Sequence, residues 1–276
     1  MTRAAGAGSL AGVGIGLRRE FHDALLRTTR RVDWLEIVSE NFMGLDGRPR
    51  YVLDACLERW PVVPHGVAAS VGTARADTYD SCLADLVERI EPAFFSDHLC
   101  FSSLGGHESF DLLPLPFTHE AIDAAATRAR SIAARVGRPM LLENITYYAV
   151  MPGSQMPEHE FLRSVLDASG CDLLLDLNNL YLNARNHGQD PLQALDRMPL
   201  DRVRQIHLAG YSTESGLLLD THASAIAEPV WSLYRETIAR IGQVPTLIEW
   251  DQRIPSLDAV LDEADKARAI LEGHAG

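Results

Sequence analysis

The stretch Met140-Leu141-Leu142-Glu143-Asn144-Ile145 and the later Asp172-Leu173-Leu174-Leu175-Asp176-Leu177 decide how this chain reads. Each is an apolar run too short for a helix, and each carries a carboxylate near its end. Apolar runs of about four to eight residues suit parallel strands covered on both faces. Working outward, similar runs predict strands at residues 13–17, 32–38, 62–67, 93–101, 203–208 and 246–250. Amphipathic segments alternate with them. Helices are expected near 21–28, 51–60, 79–90, 118–136, 157–168, 191–197, 229–241 and 256–271. Thr118 is a plausible N-cap, with Glu120 and Asp123 in the first turns behind it. The connection containing Gly105, Gly106, Pro114 and Pro116 is longer than the others. Eight strand–helix units in 276 residues favour an α/β fold of the closed (β/α)8 TIM-barrel type over an open doubly wound sheet. One barrel domain over 12–276 is expected, behind a flexible, small-residue stretch at 1–11.

Composition narrows the partners. With 25 basic and 38 acidic residues the formal charge is −13, which argues against a general binder of nucleic acid or anionic membrane. No apolar run approaches the roughly 20 residues of a membrane-spanning helix, and residues 1–11 lack the apolar core of a secretory signal. Cys56, Cys82, Cys100 and Cys171 form no CxxC pair and lie in apolar or amphipathic segments. They are expected to be buried free thiols in a reducing, cytoplasmic compartment.

Polar residues recur where the predicted strands end. The third ends in Pro64-His65-Gly66, the fourth carries Ser96-Asp97-His98, and the fifth ends in Glu143-Asn144. The sixth ends in Asp176-Leu177-Asn178-Asn179, the seventh in His207-Leu208-Ala209, the eighth in Glu249-Trp250-Asp251. Asp220 and His222 follow in a loop. In a barrel these ends share one mouth. Burying so many carboxylates and imidazoles without a cation is costly, and metal ions resolve the cost. Histidine and carboxylate without cysteine suit iron, zinc or manganese. The candidate ligands are His65, His98, Glu143, Asp176, Asn178, His207, Asp220, His222 and Glu249. That set exceeds the four to six or so that one ion takes and can serve two or three. Asp176 and Asn178, two apart, would share a strand face, and Asp220 and His222 have the same spacing.

Other residues are less telling. Glu36, Glu40 and Asn41 can line the entrance or cap the next segment. His22, His119, His159 and His187 are expected on the surface, and His107 outside the site. Gly12, Gly14 and Gly16 lack the remainder of a nucleotide fingerprint and suit close packing or an open mouth. Tyr147, Tyr148, Tyr181 and Tyr211 follow ligand-bearing strands and can shape a pocket or simply pack.

Taken together, Gly14-Ile15-Gly16-Leu17-Arg18, Trp34-Leu35-Glu36, Glu40-Asn41-Phe42-Met43-Gly44, Pro64-His65-Gly66-Val67, Ser96-Asp97-His98-Leu99, Glu143-Asn144, Leu175-Asp176-Leu177-Asn178-Asn179, Ile206-His207-Leu208-Ala209-Gly210, Asp220-Thr221-His222 and Ile248-Glu249-Trp250-Asp251 form a pattern. It resembles the multinuclear non-heme iron-dependent oxidative enzymes, a former domain-of-unknown-function family that includes the methanobactin biosynthesis oxidase. The likeness runs from about residue 12 to 270. It implies a TIM barrel with two or three irons, Fe(II) and Fe(III), and dioxygen as co-substrate. The implied substrate is a cysteine in a ribosomally made precursor peptide, commonly presented by a small partner protein. The nine residues above match the family's metal-binding motifs. Glu36 and Asp251 are expected to orient ligands or move protons in the catalytic site.

Two other readings use the same residues. A multi-metal hydrolase or isomerase on the same barrel, of endonuclease or sugar-isomerase type, needs similar ligands. A metal-storing or peptide-delivering scaffold would fill every coordination position with protein.

Overall fold

The computed structural model describes residues 10–44, 46–73, 77–104 and 107–273. Most of the stretch expected to be flexible (1–9), and Gly105 and Gly106 in the long connection, lie outside them. From the N-terminus, β1 (Val13–Gly16) leads to α1 (His22–Arg27), β2 (Leu35–Val38) to α2 (Arg48–Leu57), and β3 (Val62–Gly66) to α3 (Asp77–Ile90). Then β4 (Phe95–His98) precedes a hairpin of β5 (Phe101–Leu104) and β6 (His107–Leu113), and α4 (His119–Val136) follows. Next come β7 (Met140–Glu143), α5 (Glu158–Ser169), β8 (Asp172–Asp176), α6 (Leu177–Asn186) and α7 (Pro191–Arg197). The chain ends with β9 (Val203–Leu208), a small hairpin of β10 (Ser212–Glu214) and β11 (Leu217–Leu219), α8 (Glu228–Ile241), β12 (Thr246–Ile248) and α9 (Leu257–Gly273).

Eight strands close into a parallel barrel in the order β1-β12-β9-β8-β7-β4-β3-β2. Closure is made by β1, which pairs with β12 through Ile15↔Ile248 and with β2 through Ile15↔Leu35. The fold is therefore the TIM barrel that the strand–helix rhythm predicts. Two apolar clusters explain its stability. The larger joins one strand face, including Leu35, Ile37, Leu142, Leu173, Leu175 and Ile206, to the helices. The smaller consists of Trp34, Val63, Phe94, Leu141, Leu174 and Leu247. Successive strand side chains alternate between faces, so this second set is the opposite face and fills the barrel interior. Leu10 packs against it. Gly14 makes room for it: a Cβ there would lie 2.3 Å from the Trp34 ring. That is the close-packing role left open for these glycines.

The structure corrects several expectations. Strand four, predicted over 93–101, stops at His98, and Phe101 starts a separate hairpin over the mouth. The polar loop after β9 holds a second hairpin. Helix α6 was not expected, because Asn178, Asn179 and Asn183 interrupt its apolar pattern. Asp176 starts it as N-cap, accepting from Asn179 N at 2.6 Å. Asn178 thus sits on a helix, and the shared strand face with Asp176 does not exist. Asp220 and His222 lie in a loop, as expected, with His222 at φ +44°. Cys82 is exposed while the other three cysteines are buried. His22 is buried rather than on the surface. His187 is half-buried, with Nε2 3.1 Å from Tyr147 O. Among the described residues no helix is long and apolar enough to cross a membrane.

Candidate metal centre

The position of the centre follows from strand period. Two residues beyond each member of the inner apolar cluster stands a polar one. Trp34 gives Glu36, Val63 gives His65, Phe94 gives Ser96, Leu141 gives Glu143, Leu174 gives Asp176 and Leu247 gives Glu249. Side chains two apart share a face, so an apolar layer at the barrel's waist is overlaid by a polar one at its C-terminal mouth. His98 extends β4 by another step of two, and β9 contributes Gln205 and His207. All these polar side chains are buried.

The donors converge. Glu143 Oε2 is 3.3 Å from His65 Nε2 and 3.5 Å from His98 Nε2. His207 Nδ1 lies 3.0 Å from Glu249 Oε2 and 3.8 Å from Glu143 Oε1. His222 Nδ1 is 3.4 Å from Glu249 Oε2, and His222 Nε2 is 2.7 Å from Asp220 Oδ1. Asn178 Nδ2 donates to Asp220 Oδ1 at 3.1 Å. Four overlapping sets can each grip an ion: His65–His98–Glu143, Glu143–Asp176–His207, Asp176–His222–Glu249 and Glu36–His207–Glu249. Glu143, Asp176 and Glu249 each belong to two sets, as bridging carboxylates of a cluster would.

Two observations test whether these residues fit metal ions. First, Glu143 Oε2, Asp176 Oδ2, Asn178 Oδ1, His207 Nδ1 and His222 Nε2 are buried without a hydrogen bond of acceptable geometry. They are close to one another but not aimed at one another. At metal–ligand bonds of about 2.1 Å, donors around one ion stand about 3.0 Å apart in an octahedron and about 3.4 Å in a tetrahedron, close to the His65–Glu143, His98–Glu143 and His207–Glu249 distances above. Second, each imidazole has one nitrogen engaged by a supporting group. His65 Nδ1 meets Ser96 Oγ at 2.8 Å, His98 Nδ1 meets Gly66 O at 3.0 Å, and His222 Nδ1 meets Asp251 Oδ2 at 2.9 Å. His207 Nε2 meets Glu36 Oε2 at 3.2 Å, and Gln205 Nε2 donates to that same oxygen at 2.6 Å. The other nitrogen of each ring faces the cluster, the arrangement by which outer carboxylates and carbonyls orient metal-binding histidines.

Electrostatics agree. Burial pushes the Glu143 carboxyl well above its ordinary range and Asp176 up to about 7. Burial also holds His65 well below its usual value, and His98 at about 4. In His207 and His222 burial is overcome by neighbouring carboxylates, which raise both. Protons are thus being asked to do what a cation does better.

Above the donors is a chamber of about 380 Å³. His65, His98, Glu143, Asp220, His222 and Glu249 face it, while Tyr147, Tyr148 and Asp111 form part of its wall. Tyr181 and Tyr211 pack on each other instead, 5.6 Å apart. His107 is exposed and away from the chamber. Glu40 braces the neighbouring loop, accepting from Val67 N, Ala68 N and Tyr79 Oη. Asn41 is exposed on the rim of an adjoining cavity.

Sequence reasoning missed Arg18, Ser96, Asp97 and Gln205. Arg18 pairs with Asp251, its Nε donates to Trp250 O at 2.8 Å, and it stands 3.6 Å from Glu249. Asp97 accepts from Ala69 N and His98 N, and burial followed by Glu40 raises it to about 8. The step of two from Phe94 marks Ser96. Arg18 and Gln205 carry no such mark.

The chain is 44% identical over 263 residues to a UPF0276 protein of Anaeromyxobacter sp. (strain Fw109-5), covering 95% of this chain and 93% of that one. It is 45% identical over 261 residues to a UPF0276 protein of Caulobacter vibrioides (strain NA1000 / CB15N), covering 94% and 93%. Among solved structures, an L-ribulose 3-epimerase matches with a TM-score of 0.60 at 14% identity, covering 96% of each chain. SacUVDE matches at 0.55 and 14%, covering 95% of this chain and 98% of that one. At such identity these structures share the barrel and nothing more. The family model described as RiPP precursor modification enzyme MbnB/TglH/ChrH, for ribosomally synthesised and post-translationally modified peptides, matches residues 12–272. With nearly the whole barrel and its polar mouth inside that match, the chain belongs to this family of precursor-modifying enzymes.

Proposed function

We propose that the protein is an iron-dependent oxidase that uses dioxygen to modify a cysteine of a ribosomally made precursor peptide. One observation carries the metal part: polar atoms of five different residues are gathered, buried and without hydrogen bonds, beneath an open chamber. The family supports a precursor peptide as substrate. His65, His98 and Glu143 would hold one iron, with Glu143, Asp176 and His207 holding its neighbour. Asp176, His222 and Glu249 would hold a third, with Asn178 and Asp220 beside it. When bound, iron supplies a Lewis acid for the cysteine thiolate and a redox partner for dioxygen.

The chain's own residues supply placement. Glu36 accepts from the Nε2 side of His207 and so turns Nδ1 toward the cluster. Asp251 does the same for His222 through Nδ1, and is itself held by Arg18. Tyr147 and Tyr148 form part of the chamber wall and would help to position the substrate side chain. A small partner protein that presents the peptide completes the proposal.

The test is co-expression with a cysteine-containing precursor encoded beside the gene, then mass analysis of the peptide with and without air. A mass change at the cysteine that needs both iron and air is expected. Phosphodiester hydrolysis or sugar epimerisation by zinc- or manganese-loaded protein, with the peptide untouched, would replace this function with the hydrolase or isomerase one.

A further inference from the structure

The barrel mouth contains a second chamber, of about 440 Å³, comparable with the one over the donors. It lies above the ends of β12, β1 and β2, and it shares Val38 and Asp251 with the first chamber. What divides them is a bar of side chains: His222 to Asp251, Asp251 to Arg18, and Arg18 to Trp250 O. The two are therefore sectors of one cleft across the mouth. None of the nine proposed ligands faces the second sector.

Its chemistry differs from that of the first. Leu17, Val38, Phe42, Pro49 and Ile254 give it apolar walls. Arg18 is committed to Asp251, while Arg19 and Glu20 offset each other at the exposed edge. Burial lowers the pKa of His22, which leaves that ring neutral at pH 7. No cluster of metal-binding groups occurs there among the described residues. The sector thus has neither net charge nor ligands for an ion, and it has room and apolar surface for a large side chain.

A peptide that puts one residue into the donor chamber must carry its neighbours across the mouth. An extended chain advances about 3.3 Å per residue, so a wall shared by both sectors is within one or two residues of the reacting position. We propose that the second chamber is a subsite for a large apolar side chain of the precursor peptide, one or two residues from the residue that is modified. This rests on the peptide-modifying function proposed above.

The experiment pans the iron-loaded, full-length protein, without oxygen, against bead-bound heptapeptides randomised at every position. Cysteine enrichment is expected, together with about tenfold enrichment of Leu, Ile, Phe or Trp one or two positions away, the preference that burying such a side chain gives. Asn41→Trp, at an exposed rim position, fills the chamber from outside, and Ile254→Glu makes its wall charged. Both variants are expected to erase the apolar preference while keeping iron content and cysteine enrichment. Cysteine enrichment with no apolar preference, or a preference that survives both variants, overturns the subsite alone. Loss of cysteine enrichment in the wild type overturns the peptide-binding function on which it rests.

Discussion

His207 is fully buried among carboxylates, with Glu36 on one nitrogen and Glu249 on the other. Only one of its nitrogens can serve an ion, and Glu36 decides which. Removing the orienting carboxylate should weaken metal binding without touching any of the nine proposed ligands. Glu36→Ala is expected to lower iron affinity about 10- to 100-fold, measured by competition with a chelator. Wild-type affinity in the folded variant would remove the role assigned to Glu36. Glu143 is different, since it belongs to two donor sets. Glu143→Gln should reduce iron content by more than one ion per chain. In the metal-free protein the same change should raise the melting temperature, because a neutral amide removes the cost of burying the carboxylate, or of holding a proton on it, without its cation. A lower melting temperature for the metal-free variant would mean that Glu143 is held by something other than metal.

At the scale of the element, β1 and β2 meet through Gly14 and Trp34. Gly14→Ala places a methyl into the indole and should cost about 1–3 kcal/mol, seen as a lower urea midpoint. Trp34→Leu in the same chain should recover part of the loss. An unchanged midpoint in the single variant would mean that Trp34 is not packed as described. The start of α5 supports a pH prediction. Glu158 accepts from Tyr147 Oη at 3.2 Å and Asn183 Nδ2 at 3.5 Å, yet burial pushes it up to about 7. Its folded pKa exceeds the usual value, so folding favours the protonated acid. That contribution is complete below about pH 4.5 and is lost as pH rises through about 7. Glu158→Gln should flatten the decline in stability between pH 5 and 8 or so; a decline of unchanged slope would assign it to other groups. The barrel strands were legible in the sequence because a doubly covered strand must be apolar on both faces. Helix α6 was not, because buried asparagines break its apolar pattern, two of them donating to neighbouring backbone: Asn179 Nδ2 reaches Asn144 O, and Asn183 Nδ2 reaches Ile145 O. Both hairpins escaped notice because they are short and half-polar.

For the whole molecule, function is written as a change of layer. Six strands carry an apolar residue and then, two positions on, a polar one, and closing the barrel turns that repeat into an apolar plug under a ring of donors. Strand ends therefore revealed His65, Glu143, Asp176, His207 and Glu249 from sequence alone. Asn178 was on the same list for the wrong local reason, since a helix start brings it in, whereas Asp220 and His222 come from the loop where the sequence placed them. Arg18 was missed because its partner, Asp251, is distant in sequence and near only once β1 and β12 pair. The central claim is that this ring holds iron, and the most direct measurement is metal analysis with a Mössbauer spectrum of protein purified without oxygen from cells grown on iron-57. Two to three coupled irons per chain, falling by more than one in Glu143→Gln, is the predicted result. Stoichiometric zinc or manganese with little iron, or no metal in a correctly folded barrel, would contradict it.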